Sequence, residues 1–285
     1  MLQEKKIGFI GSGNMGEALI SGLVLSKAAK PENIICSDVA EDRLKELQTK
    51  YKVVTTTDNI EVVKKSEIIV YATKPQILGL VLKETASALD TSKLIISIAA
   101  GVPLAAIASG LKKELRLIRV MPNICAFVKE SATAIAAGEY ATKEDIALAR
   151  AIFDSVGKTV FIQENILMDA FTGLSGSGPA YIFTIVDAMA DAGVKMGLSR
   201  KDSLFLSTQT VLGAAKLLLE SKEHPGQLKD RVLSPGGTAV VGIHTLEQGG
   251  LRTTMINAVE AAAKRSKELG DMMVKEFIKN NKKDC

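Results

Sequence analysis

The residues of this chain best suited to chemistry are glycines and small polar groups. Lys6-Ile-Gly-Phe-Ile-Gly-Ser-Gly-Asn-Met-Gly16 sets Gly11, Gly13 and Gly16 directly after an apolar run and directly before a helical pattern. That spacing is the dinucleotide fingerprint. Gly11 permits the tight turn, Gly13 lets a pyrophosphate approach the backbone, and Gly16 lets the helix pack closely on the strand. The helix start then offers free N–H groups and a positive dipole end to phosphate. Asp38 follows Gly16 by 22 positions, where an acidic residue grips the ribose hydroxyls of NAD and repels the extra phosphate of NADP. Asp38 as the cap of a helix beginning near Glu41 is an equally weighted reading.

Three further glycine segments stand in the second half: Thr172–Tyr181, His224–Asp230 and Leu233–Glu247. In the last, Ser234-Pro-Gly-Gly-Thr238 leads into a helical pattern, so its bare amides form an anion site for a carboxylate. Gly176 to Pro179 begin a helix in the same manner. Plain helix connections are the alternative, since Gly and Pro are common there. The two histidines, His224 and His244, bracket the Ser-Pro-Gly-Gly segment and read as structural. Cys36, Cys125 and Cys285 show neither metal-ligand spacing nor a basic neighbour, and Cys285 reads as an exposed tail residue. No metal is expected.

The elements that must position these groups fall into two halves. Short β-branched runs at Lys6–Ile10, Asn33–Ser37, Ile68–Ala72, Leu94–Ala99, Leu117–Met121, Thr133–Ala137 and Thr159–Ile162 lack strict alternation, as strands covered on both faces do. Helical patterns at Glu41–Thr49, Gln76–Leu89 and Lys143–Val156 lie between them, the last opened by Thr142 and Asp145. The alternation predicts an α/β, doubly wound, mostly parallel sheet over residues 1–163. From about Asn165 the strand signals stop, and Pro179–Met196, Ser199–Glu220, Thr238–Glu247 and Met255–Lys279 read as helices. Residues 164–285 are therefore expected to form an all-α domain, apolar enough to pack on a second copy.

Composition narrows the partners. Charge is dispersed at a net +4, Trp is absent and aromatics are 4%, so base-stacking platforms are not expected. The basic cluster Lys279, Lys282 and Lys283 reads as a solvated helix end, and no nucleic-acid partner is expected. No apolar run reaches the ~18 residues of a membrane span, and Ile7–Ile10 is too short for a signal peptide. The expectation is a reduced, cytoplasmic protein with no membrane partner.

Taken with Ala72-Thr-Lys-Pro75 and Arg119-Val-Met-Pro-Asn123, the glycine segments closely resemble those of pyrroline-5-carboxylate reductases, over nearly the whole chain and in the same order. The resemblance implies a Rossmann domain and an interlocking helical dimerisation domain, with NADPH or NADH reducing a cyclic imino acid to proline. It implies that Ile10, Gly11, Ser12, Gly13, Asn14 and Met15 hold the pyrophosphate, with Asp38 and Asn59 at the adenosine end. Ala72, Thr73, Lys74 and Pro75 would meet ribose and phosphates, Ala99 and Ala100 the nicotinamide side, with Asn123 at the next strand's end. Lys74 as a solvated surface lysine is the plainer reading. Ser234, Gly236, Gly237, Thr238 and Ala239, with Ser177 and Gly178, would meet substrate. One position departs from the family: Ala239 stands where the family has the Thr whose hydroxyl bonds the substrate's ring nitrogen, and Thr238 is the hydroxyl nearest in sequence.

Imine reduction needs hydride and a proton on nitrogen. A protonated iminium is already electrophilic, so the protein chiefly supplies proximity, orientation and a dry pocket. Two other readings compete. A β-hydroxyacid dehydrogenase would need a lysine early in the helical half, and Phe171 to Tyr181 contains none. Lys195 is a poor substitute, set between Val194 and Met196 near a helix end. A cofactor-sensing protein without turnover would suit Ala239 but not the retained carboxylate loop.

Overall fold

The computed structural model describes residues 1–111, 114–164 and 166–282. Asn165, Lys283 and Cys285 lie outside the described residues. The first half runs β1 (Ile7–Ile10), α1 (Asn14–Leu25), β2 (Ile34–Ser37), α2 (Glu41–Tyr51), β3 (Val54–Thr56), α3 (Asn59–Lys65), β4 (Ile68–Tyr71) and α4 (Pro75–Thr85). It continues with β5 (Leu94–Ser97), α5 (Leu104–Leu111), β6 (Arg116–Met121), β7 (Ser131–Ala137), α6 (Lys143–Phe153) and β8 (Gly157–Phe161). Helices follow: α7 (Ile166–Phe171), α8 (Gly178–Lys195), α9 (Arg200–Ser221), α10 (Pro225–Val232), α11 (Thr238–Gln248) and α12 (Leu251–Lys282).

The eight strands form one sheet in the order β3-β2-β1-β4-β5-β6-β7-β8. Pairing is parallel from β3 to β6, with Ile7 opposite both Ile34 and Ile68. It turns antiparallel between β6 and β7, where Val120 faces Ile135. A parallel return needs a crossover of a dozen or more residues, and only 122–130 join these two strands. The longer link through α6 then restores parallel pairing of β7 with β8.

Strand period and burial agree. Ile68 and Val70 of β4 enter one core with Leu19 and Leu23 of α1 and Ile152 and Phe153 of α6. Ile69 and Tyr71 enter the opposite core with Leu78 of α4 and Ile107 of α5. All four residues of β1, β2, β4 and β5 are buried, as expected of a sheet with helices on both faces. The expected start of α6 is present in full: Thr142 Oγ1 accepts from Asp145 N at 3.1 Å and Asp145 Oδ2 accepts from Thr142 N at 2.9 Å.

The chain forms two compact units, Met1–Ser177 with Ala261–Cys285, and Gly178–Glu260. The division at Ser177 differs from the expected one at 163. α7 packs Met168 against Ala134 and Ala136 of β7, and Ser266 of α12 donates to Asp169 at 2.7 Å, so both segments belong with the sheet. The second unit is wholly helical. Its 22-residue α9 buries only Ser203 and Ser207, while Leu204, Phe205, Leu212 and Leu219 are exposed.

Candidate active site

The strand order reverses between β1 and β4, and ligands of open α/β sheets bind beyond the strand ends at that point. Both turns that the sequence marks for cofactor lie there. Ala72 N donates to Ile10 O at 2.8 Å. Gly11 has φ +93°, and a Cβ on it would stand 2.9 Å from the Ala72 carbonyl carbon and oxygen. Only glycine meets both conditions without strain. Beyond the turn, α1 begins with Gly13 as its N-cap and no side chain capping it, so its first amides face outward free. A Cβ on Gly13 would meet nothing within 4 Å, leaving the backbone open to a close ligand.

The second turn supplies complementary groups. Thr73 Oγ1 is buried and unpartnered, and Lys74 at the N-cap of α4 is exposed with no ion pair among the described residues. An orphaned hydroxyl, a free ammonium and an uncapped helix start together fit a dinucleotide's phosphates. Ala99 is buried and Ala100 exposed just past β5, ahead of Gly101.

At the expected adenosine end, Asp38 Oδ2 accepts from Ser12 N at 2.8 Å and Oδ1 from Ala40 N at 3.0 Å. The N-cap of α2 is Ala40, with no side-chain cap, so Asp38 ties β2 to the glycine loop instead of capping the helix. Asn59 accepts from Ser37 Oγ at 2.7 Å and donates to Glu84 at 2.9 Å. Behind the loop, Arg43 Nε donates to Ser12 O at 3.0 Å, and its guanidinium pairs with Glu17 and Glu46. Partial burial pushes the Glu17 carboxyl up. Hydrogen bonds from Lys50, Arg43 and Tyr51 outweigh it and hold the group at about 2. The Cys36 thiol, buried in β2, and the half-buried Cys125 thiol are both pushed up by desolvation, which leaves neither a ready nucleophile.

The glycine segment after α7 holds a feature that no sequence period announces. Thr172–Gly176 is a π-helical turn, a rare form often found at functional sites. Asn123 at the end of β6 donates to Ser175 O at 3.1 Å and Ser175 Oγ at 3.2 Å, and Asn123 Oδ1 accepts from Cys125 N. The side chain of Asn123 is thus spent on holding this turn.

In the second unit, Ser234 O accepts from Gly237 N at 2.9 Å, closing a turn in which Gly236 adopts φ +68°. Gly237 is the uncapped N-cap of α11. Thr238 opens the helix exposed, with its hydroxyl unbonded, and Ala239 is half-buried beside it. His224 caps α10, its Nδ1 accepting from Gly226 N at 3.1 Å with Gln227 reciprocating, which gives it the structural role expected.

Residues 165–269 match the family model for pyrroline-5-carboxylate reductase dimerisation. Residues 6–101 match the model for NADP oxidoreductase, coenzyme F420-dependent. The pyrroline-5-carboxylate reductase of Methanosarcina acetivorans is 51% identical over 94% of this chain and 99% of its own. That of Arabidopsis thaliana is 44% identical over 93% and 95%. This chain belongs to the pyrroline-5-carboxylate reductase family. The family's solved structures agree in fold. The Coxiella burnetii reductase superposes with TM-score 0.90 at 37% identity over 93% of this chain and 98% of its own. The Plasmodium falciparum enzyme, with NADP bound, gives 0.84 at 34% identity over 95% and 100%.

Sequence reasoning missed the supports of this family member's site. Arg43 and Glu17 look like ordinary surface charges on two helices, and nothing in their spacing says that they meet. Arg119 is 4% exposed and pairs with Glu164 at 2.9 Å, while the same Glu164 oxygen accepts from Leu104 N at the start of α5. An arginine inside a strand of apolar residues is the one available signal for that pair.

Proposed function

We propose that this chain is an NAD(P)H-dependent reductase of the C=N bond of 1-pyrroline-5-carboxylate, forming L-proline, the last step of proline biosynthesis. Similarity to reductases of that name over more than nine-tenths of both chains carries the reading. The bound cofactor supplies hydride. Residues Ile10 to Met15 line the pyrophosphate, which meets the free amides at the start of α1, Ala72 to Pro75 line the facing turn, and Ala99 and Ala100 flank the nicotinamide. Asp38 and Asn59 serve the adenosine end. Asn123 acts one step back, by fixing the turn that carries Ser175.

The substrate carboxylate belongs on the free amides at the start of α11, from Thr238 onward, in the loop of Ser234, Gly236 and Gly237; Ser177 and Gly178 are also assigned to substrate. Thr238 is the hydroxyl offered to the ring nitrogen, since Ala239 has none. Residues 178–260 then form the substrate and dimerisation part of the helical half. The match to the dimerisation model supports a homo-oligomer. The exposed apolar side chains of α8 and α9 are the surface we assign to the dimer contact. No helix among the described residues is long and apolar enough to cross a membrane. Free Cys36 and Cys125 suit the reducing cytoplasm.

The deciding assay follows reduced-nicotinamide absorbance as 1-pyrroline-5-carboxylate is added, with NADH and NADPH tested separately. Substrate-dependent oxidation with formation of proline supports the reading. Tight cofactor binding without oxidation would overturn it.

A further inference from the structure

A Rossmann site that accepts NADP commonly carries an arginine near the end of the second strand, where it meets the 2′-phosphate. Arg43, in the first turn of α2, occupies such a place. Its guanidinium is already engaged on three sides. Nε donates to Ser12 O at 3.0 Å, Nη1 to Glu46 Oε2 at 2.7 Å, and Nη2 to Glu17 Oε2. Glu17 is itself held by Lys50 Nζ at 2.9 Å and Tyr51 OH at 2.8 Å. The Arg43 and Glu17 side chains are only 21% and 18% exposed, so the pair is partly sheltered from solvent screening.

Asp38 completes the arrangement. It takes the N–H of Ser12 while Arg43 takes the C=O of the same residue, so one peptide of the cofactor loop is gripped from both sides. Each Asp38 oxygen accepts one N–H and keeps a lone pair for a ribose hydroxyl. Beside Asp38, a 2′-phosphate would meet an arginine already paired with the carboxylates of Glu17 and Glu46.

We propose that Arg43, locked by Glu17 and Glu46, is a positioning residue for the Ser12 loop and is withheld from the 2′-phosphate, so that the site prefers NADH. This rests on the reductase reading above, and it names Arg43 as the group that would otherwise admit NADPH. A phosphate-binding arginine and a loop-holding arginine differ in one measurable respect. The first supports only NADPH, whereas the second supports both cofactors equally.

The test is the dissociation constant of each cofactor, read by quenching of the protein's tyrosine fluorescence or by calorimetry, for wild type, R43A and E46Q. The proposal expects wild type to bind NADH at least about tenfold tighter than NADPH, a gap of about 1.4 kcal/mol. R43A should weaken both and leave their ratio within about twofold of wild type, while E46Q, by removing one of the charges that balance Arg43, should move the ratio several-fold toward NADPH. Equal or tighter NADPH binding by wild type overturns the proposal. So does selective loss of NADPH by R43A, or an E46Q ratio that does not move. Failure of wild type to bind either cofactor would instead strike the reductase reading, as would binding without imino-acid turnover.

Discussion

Asn123 and Ser175, 52 positions apart, are joined by two hydrogen bonds from one side-chain amide, which fasten the π-helical turn to the end of β6. Ser175 Oγ reaches on to Ala132 O at 3.3 Å, so β7 shares the fastening. N123A leaves Ser175 O and the Cys125 N–H without their partner, at a cost of about 1–3 kcal/mol. N123D keeps the acceptor for Cys125 but cannot donate to Ser175, and it should do no better. Thermal denaturation checks the first statement. Turnover at saturating cofactor checks the second, with both variants falling well below wild type.

Tyr71 closes β4 immediately before Ala72, and its buried hydroxyl lies 2.7 Å from Thr85 Oγ1. Burial, against a smaller opposing effect of that hydrogen bond, pushes the phenol up from 10.0 to about 12. The folded state therefore favours the neutral form. Its contribution is complete below about pH 10 and lost as pH rises through about 12. Y71F should flatten the alkaline limb of a stability–pH curve measured by urea unfolding.

Glu17 works in the opposite direction. Its folded value of about 2 lies below the ordinary 4.5, so its contribution is present above 4.5 and disappears as pH falls toward 2. E17Q should cost about 1 kcal/mol near neutrality, the modest figure suited to a partly solvated network. Urea midpoints of wild type and E17Q should converge as the buffer is taken down toward about pH 3.

Ala239 offers a gain-of-function test. Restoring the family's threonine with A239T places a hydroxyl one position beyond Thr238 at the free start of α11. A rise in kcat with 1-pyrroline-5-carboxylate is expected, with little change in cofactor affinity. If Thr238 already serves the ring nitrogen, T238A should lower kcat sharply in wild type and mildly in A239T.

Phe205 of α9 is 66% exposed in the single chain. If the α8 and α9 faces make the dimer, F205E buries a charge at that contact and should shift the protein toward monomer by light scattering. A similar change at Val39, exposed on the Rossmann side, should leave the oligomer intact.

Most of the framework was legible because it follows from burial. Runs such as Ile68–Tyr71 are apolar at every position because the sheet there is covered on both faces, and seven of the eight strands fall on runs that carry β-branched residues. The eighth, β3, has three residues with none buried, too short and too exposed a run to stand out. α3 and α10 are seven and eight residues long, too short for a helical period to stand out. In the site, Gly11 was readable because its backbone geometry constrains the residue type. The grip of Arg43 on Ser12 was not, because a side-chain contact to a backbone carbonyl 31 positions away leaves no local pattern.

Gly11 and Ala72 sit so close that the glycine turn and the Ala-Thr-Lys-Pro turn share one surface. Neither turn can therefore be exchanged as an independent cassette. A graft that imports a glycine loop from another dehydrogenase without its matching Ala-Thr-Lys-Pro partner would bring mismatched halves together, so redesign of this pocket has to treat the two turns as one heritable module.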